Sequence, residues 1–434
     1  MIETPREPLG LKIYRTASRA AGPIASMTLK RRLQSGKEDE ARLPERRGIP
    51  GRARPDGELI WIHGASVGES LSVLPLVERL AQLRPEASFL VTTGTVTSAA
   101  LMSERLPASA FHQYIPIDHP DFVTSFLDHW HPDAAIFVES EFWPNLILTA
   151  RKHVPYMALI NGRISPKSYR DWSSQPNAIR FILASFDFIA GQDQQNADRL
   201  HALAGKPVAM FGNMKNAAPP LPADNAVVET FSASIANRPR WLAASTHPGE
   251  EEIVIAAHKQ LAHDFPDLLT MIAPRHPTRS EEISTLASNA GLCVTKRTNS
   301  ESISKETNIY IADTLGELGL FYRLSDIAFV GGAITPKGGH NPLEPARLDA
   351  AILHGPETFN FAETYRDLKR AGGAALVRND REMASAVRRL FDDSKTREAM
   401  VTAAREAAES NAEKVLTDIT DVLITKMPTA PQQK

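Results

Sequence analysis

The chain has 434 residues, enough for two or three domains of ordinary size. Its 42% hydrophobic and 23% charged content fits a globular core, and a net charge of -2 gives no basis for a nucleic-acid partner. The single cysteine, Cys293, excludes an intrachain disulfide and any metal site built from Cys ligands alone.

The N-terminus is unlike the remainder. Residues 1–55 carry 13 Lys/Arg against 6 Asp/Glu, a local charge of +7 that leaves -9 for the rest. The most apolar stretch, Leu9 to Leu29, is interrupted by Lys12, Arg15 and Arg19. A membrane-spanning helix needs roughly 20 mostly uncharged apolar residues, and a signal peptide needs an unbroken apolar run before its cleavage site. Two readings stay open: a basic helix lying on an anionic membrane surface, or a solvated basic arm.

Beyond it, strand-like and helix-like runs alternate. Strands are predicted at Leu59–His63, Ser88–Thr93, Gln113–Ile117, Ala134–Val138, Tyr156–Ile160, Asp187–Ala190 and Val208–Phe211. The clearest helix between them is Ser70–Leu83, with Leu71, Leu74, Val77 and Leu80 at helical spacing. A Pro-rich stretch, AAPPLPAD over 217–224, reads as the start of a linker. The pattern then restarts with strands at Trp241–Ser245, Leu269–Ala273, Leu292–Lys296, Ile309–Ala312, Asp326–Val330, Ala351–His354 and Ala374–Val377. Such alternation implies βαβ units and an α/β class with mostly parallel sheets. The expected organisation is a basic segment over 1–50, a Rossmann-like domain over 51–216, a linker over 217–234, a second Rossmann-like domain over 235–426 and a disordered tail over 427–434, the two domains facing each other across a cleft. The helical run Thr396–Lys426 closes the second domain or crosses back to the first.

Polar, Gly-containing loops follow the strands, at the sheet edge where open α/β proteins bind ligands. In the loop from His63 to Glu69, Ser66 and Gly68 precede a helix, and Glu69 either complements the helix dipole or does proton chemistry. Glu139 and Glu141 pair at the end of a strand, suited to sugar hydroxyls, proton transfer or helix capping. Ser245, Thr246 and His247 open a helix, and Pro274, Arg275, His276 and Pro277 end a strand. A Ser/Thr-rich helix start beside a fixed Arg is a means of holding phosphate, although capping alone accounts for the Ser/Thr. The last loop runs from Gly331 through Gly339 and His340 to Asn341, Pro342, Leu343 and Glu344, where Glu344 is placed to accept bonds from ribose hydroxyls. Neither the G-x-G-x-x-G fingerprint nor a Walker A sequence occurs, which argues against NAD and ATP, and no HExxH or DxD metal motif is present.

Taken together, GKEDEARLPERRG, HGASVGES, ESEFWPNL, NGRISPKSYRDW, FGNMK, AASTHPGEEE, APRHPTR, DTLGELGLFYRLSDIAFVGG and GGHNPLEPARLDAAILHGPETFNF resemble, in order along nearly the whole chain, the 3-deoxy-D-manno-octulosonic acid (Kdo) transferases. The resemblance implies a GT-B fold and a metal-independent, cofactor-free transfer of Kdo from CMP-Kdo to a lipid A precursor. The first domain would take the acceptor and the second the donor. It implies Glu69 as general base and CMP contacts at Pro274, Arg275, Leu315, Gly316, Glu317, Asn341, Pro342, Leu343 and Glu344. Lys215 would meet the Kdo carboxylate. Ser66, Glu139, Glu141, Ser245, Thr246, His247, Gly339 and His340 are further candidate substrate contacts. It also places the protein peripherally at the anionic, cytoplasmic face of a bacterial inner membrane. Many relatives begin with a more apolar anchoring segment than the one found here. Two rivals remain: a sugar-nucleotide epimerase on a similar fold, which needs a second base, and a catalytically dead sugar-nucleotide-binding protein.

Overall fold

The computed structural model describes residues 6–140, 142–235, 238–299 and 303–428. The chain divides into two compact units, Met1–Pro219 with Ala412–Lys434, and Pro220–Asn411.

The first unit carries a seven-stranded parallel sheet in the order β3-β2-β1-β4-β5-β6-β7. Its strands are β1 Leu59–His63, β2 Ser88–Thr93, β3 Ala110–Tyr114, β4 Ala134–Val138, β5 Tyr156–Gly162, β6 Phe188–Gly191 and β7 Ala209–Met210. The central strands read LIWIH and AAIFV and are buried along their whole length, as parallel strands covered on both faces must be. On one face Trp61 packs edge-on against Phe137, ring centroids 5.0 Å apart. On the other, Ile60 and Ile62 join Val77 and Leu80 of the helix Val67–Leu83, together with Val415, Ile419, Leu423 and Met427. Val415, Ile419 and Leu423 come from the 33-residue helix Ser394–Lys426 and Met427 directly follows it, so the C-terminal run does cross back to the first unit.

The second unit repeats the design. Its parallel sheet runs β10-β11-β9-β8-β12-β13-β14, with β8 Arg240–Thr246, β9 Leu269–Pro274, β10 Val294–Lys296, β11 Ile309–Ile311, β12 Ile327–Val330, β13 Ala351–His354 and β14 Ala374–Leu376. In each sheet the strand order reverses beside the first strand, between β1 and β4 and between β8 and β12. A crevice outside the strand ends at such a switch point is where ligands bind in this architecture.

Several sequence expectations shift. The strand predicted at Gln113–Ile117 lies three residues earlier, at Ala110–Tyr114, because Pro116 has no N–H to give to a ladder. The helix predicted from Ser70 starts at Val67, where Ser66 caps it. The predicted linker 217–234 spans the junction: residues 217–219 belong to the first unit, and 220–234 belong to the second and contain most of the helix Asn225–Ile235, whose Val227, Val228 and Phe231 pack on that unit's core. The N-terminal segment is folded onto the first unit rather than solvated all round. Helices Leu9–Ala20 and Gly22–Gln34 bury Leu11 and Leu29, Tyr14 donates to Asp118 Oδ2 at 2.9 Å, and Arg19 pairs with Asp121 at 2.8 Å. No helix among the described residues is long and apolar enough to cross a membrane.

Candidate functional site

In the first unit the β1 loop is shaped by a reciprocal cap. The Ser66 hydroxyl accepts from the Glu69 backbone N–H at 3.3 Å and donates to Glu69 Oε1 at 2.8 Å. Glu69 Oε2 accepts from the Ala65 N–H at 2.6 Å and more weakly from Ser66 N–H at 3.4 Å. Glu69 is 8% exposed, and its two oxygens have more acceptor positions than these bonds fill, so the geometry displays a cap that leaves room for a further hydrogen bond. Gly68 has no side chain, and a Cβ there would lie 3.9 Å from Lys215 Cε.

Lys215 reaches Glu139 Oε1 at 2.5 Å, an ion pair between the ends of two loops far apart in sequence. Glu139, at the end of β4, is buried and holds a left-handed φ of 64°, a conformation a side-chain-bearing residue adopts only where its surroundings impose it. Lys215 stands in a short 3-10 turn started by the Asn213 side chain, and Asn161 Oδ1 accepts from the Met214 N–H at 2.9 Å. Ser66, Glu69, Glu139 and Lys215 are therefore brought to one edge, although the Lys215 charge is spent on Glu139. Glu141 falls outside the described residues.

In the second unit a cavity of about 120 Å³ is lined by Ser245, Pro274, Arg275, Thr314, Leu315 and Gly316 among others. Ser245 takes a left-handed φ of 55°, and the Arg275 N–H donates to the Thr246 carbonyl at 3.0 Å, tying the β8 and β9 loops. Leu315 is 80% exposed at the rim. Glu317, an expected CMP contact, has a partner within the second unit. Arg297 holds its carboxylate in a two-point pair at 3.0 and 2.6 Å and keeps its pKa below the usual range, with Thr314 donating to the same group. Arg297 was not anticipated, since its partner lies 20 residues on in a different loop.

The glycine loop after β12 brings His340 to His247. Their Nε2 atoms are 2.9 Å apart and their rings are parallel at 5.2 Å, so one ring donates to the other. Burial, then the neighbouring His247, lowers the His340 pKa to about 4, and burial also lowers that of His247, so both are neutral near pH 7. Gly339 takes φ 73° and donates to the Gly332 carbonyl at 2.7 Å. Asn341 Oδ1 accepts from the Leu343 N–H at 3.1 Å, Pro342 opens the turn Leu343–Ala346, and Leu343 is buried. Burial pushes the Glu344 carboxyl up to about 7, opposed by Asn341 and by the positive charges of Arg275 and Arg347. Arg275 and Glu344 are thus in one electrostatic neighbourhood. Among the described residues no group of three or more His, Cys, Asp or Glu is placed to hold a metal ion.

The site missed by sequence reasoning is Glu250. It is fully buried, and its carboxylate accepts four backbone N–H groups from two loops. The signal for it, the acidic run after His247-Pro248-Gly249, reads from sequence as an ordinary helix start.

The family model described as "3-Deoxy-D-manno-octulosonic-acid transferase (kdotransferase)" matches residues 41–218. A 3-deoxy-D-manno-octulosonic acid transferase of Rickettsia bellii is 34% identical, over 89% of this chain and 92% of its own. A probable mitochondrial one of Arabidopsis thaliana is 30% identical, over 95% of both chains. Among solved structures, a glycosyltransferase from Rickettsia africae aligns with a TM-score of 0.58 at 13% identity, covering 86% of this chain and all of that one. A UDP-GlcNAc 2-epimerase from Neisseria meningitidis aligns with a TM-score of 0.57 at 14% identity, covering 85% of this chain and all of that one. At such identities these two speak to the fold alone, which is GT-B. The extent and identity of the sequence relatives go further: the chain belongs to the Kdo transferase family and is a glycosyltransferase.

Proposed function

We propose that the protein transfers Kdo from CMP-Kdo to a lipid A precursor of the lipid IVA type, with inversion, in lipopolysaccharide inner-core assembly. The observation that carries the donor half is the grouping of Ser245, Pro274, Arg275, Leu315 and Gly316 around one cavity, with Glu344 in the field of Arg275. A guanidinium suits phosphate oxygens and a carboxylate suits ribose hydroxyls. Supporting the acceptor half is Glu69, a carboxylate with unfilled acceptor sites at the switch point of the first unit.

In the proposed reaction an acceptor hydroxyl loses its proton to Glu69 as its oxygen bonds to the anomeric carbon of Kdo. The bond from that carbon to the phosphate oxygen breaks on the opposite side, and CMP leaves. Arg275 meets the charge gained by the phosphate, so no divalent metal or other cofactor is assigned a role. The test is a product mass spectrum after incubation with CMP-Kdo and lipid A precursor. An acceptor heavier by one or more Kdo residues is expected; an unchanged acceptor beside epimerised or untouched sugar nucleotide would refute the proposal.

The same reading places the protein peripherally on the anionic cytoplasmic face of a bacterial inner membrane. Leu9, Ile13, Ile24 and Met27 are 72%, 59%, 62% and 52% exposed on the two N-terminal helices, next to Lys12, Arg15, Lys30 and Arg31. Basic residues near such a surface contribute about 1 kcal/mol each and are screened by salt. Release from membranes by high salt or carbonate is expected, whereas release by detergent only would contradict peripheral attachment.

A further inference from the structure

Glu250 begins the helix Glu250–Leu261 that follows β8 and is 0% exposed. Its Oε2 accepts the His247 N–H at 3.0 Å and the Gly332 N–H at 2.7 Å. Its Oε1 accepts the Ala333 N–H at 3.0 Å and the Ile334 N–H at 2.9 Å. One carboxylate therefore joins the loop after β8 to the loop after β12, the two strands that flank the switch point. Three successive N–H groups converging on one point form an anion-binding nest. Gly332 supplies the left-handed φ of 69° within it. Gly331 is needed beside it, because a Cβ there would come 2.9 Å from Glu250 Oε2 and 2.6 Å from the Ser245 carbonyl oxygen.

A nest at a switch point would ordinarily be open to a ligand phosphate. Here an internal carboxylate fills it, which leaves the donor phosphate to Arg275. Filling it also fixes the loops before any ligand arrives. The backbone of His247 hangs directly from Glu250 Oε2. The His340 N–H donates to the Gly331 carbonyl at 3.2 Å, next to the nest. The 2.9 Å contact between the two imidazoles follows from that shared anchor. The carbonyl of Thr246, adjacent to His247, holds the Arg275 N–H at 3.0 Å.

We propose that Glu250 is a positioning residue for the donor site, an internal anion that presets the His247, His340 and Arg275 loops for the CMP-sugar. This rests on the assignment of the donor to the second unit. The test is Glu250→Gln, measured for CMP affinity by calorimetry, for KM toward CMP-Kdo and toward lipid acceptor, and for melting temperature. Gln keeps the volume but offers one oxygen, and its NH2 group faces two N–H donors that it cannot satisfy. The CMP Kd and the KM for CMP-Kdo are expected to rise at least about tenfold, the typical effect of losing one to two hydrogen bonds, while the KM for acceptor stays within about twofold. A lower melting temperature with both donor constants unchanged would overturn the proposal, because a purely structural role reduces the amount of active protein and not its donor affinity.

Should Glu250→Gln fail to fold, hydrogen exchange on the unsubstituted, ligand-free protein decides the matter. The amides of Gly332, Ala333 and Ile334 are expected to be as protected as those of β8 without nucleotide. Fast exchange that slows only on adding CMP would overturn presetting. Failure of the unsubstituted protein to bind CMP at all would sink the donor assignment instead, and the exchange result would still report on the nest.

Discussion

Replacing Glu69 with Gln separates a cap from a base in one variant. The Gln oxygen takes the place of Oε2 and keeps the bonds from the Ala65 and Ser66 N–H groups. Its NH2 replaces Oε1 and meets the Ser66 hydroxyl, which is free to accept from it after rotating its proton. What the fold loses is one negative charge in the first turn of the helix Val67–Leu83, about 0.3–1 kcal/mol. For a unit of this size that lowers the melting temperature by only about 1–4 °C. The reaction loses its proton acceptor, and positioned bases contribute about 10²–10⁴-fold, or roughly 3–5 kcal/mol of barrier. The expected result is a variant that folds, binds CMP as the parent does and turns over at least about a hundredfold more slowly. Single-turnover kinetics with a melting curve on the same preparation provide the assay. Turnover within about tenfold of the parent, with a lowered melting temperature, would leave Glu69 a cap only and send the search for the base to Glu139 or Glu141.

Arg275→Ala should weaken CMP binding by about one to two decades, the worth of a charge-assisted bond of roughly 1.5–3 kcal/mol, and calorimetry would read it. Lys215→Met leaves the buried Glu139 carboxylate without its cation. The first unit should then lose up to about 3 kcal/mol, the low end for a broken buried pair because Lys215 is partly exposed, and the double variant Lys215→Met/Glu139→Gln should recover much of it in denaturant melts. Glu344, raised to about 7 by burial, binds more protons when folded than when unfolded. Its stabilising contribution is therefore full below about pH 4.5 and is lost as pH rises through about 7, a slope that Glu344→Gln should flatten. If the ionised carboxylate accepts ribose hydroxyls, CMP affinity should also rise from pH 6 to 8 in the parent and not in the variant. Activity should survive excess EDTA; loss with recovery on adding Mg²⁺ would contradict a metal-independent transfer.

The strands were the most legible part of the fold. Continuous apolar runs such as LIWIH and AAIFV admit one reading when helices must cover both faces, and their ends match the structure. Pro116 misled the placement of β3 because it lies inside an apolar run that the ladder cannot use. The Pro-rich stretch marked the junction between the units well, but it concealed the amphipathic helix Asn225–Ile235 that follows it. At the site, motif position was legible and pairing was not. Lys215 with Glu139, Arg297 with Glu317 and Glu250 with Gly332 all join loops from different strands. Such partners are set by which strands become neighbours, and local sequence carries no sign of that. His247 and His340, 93 residues apart, are the same case.

The 33-residue C-terminal helix has a consequence for the order in which the protein can be made. Residues 220–411 are continuous, so the second unit has all its parts once that stretch has left the ribosome. The first unit begins earlier but must wait, because Val415, Ile419, Leu423 and Met427 supply part of the surface beneath β1. Until they arrive, Ile60, Ile62 and Leu80 have an open flank, and uncovered apolar side chains of this kind cost about 1.5–3 kcal/mol each. The nascent first unit is therefore a natural client for a chaperone through most of translation. A nonsense change near residue 412 would leave a complete second unit joined to a first unit that cannot close.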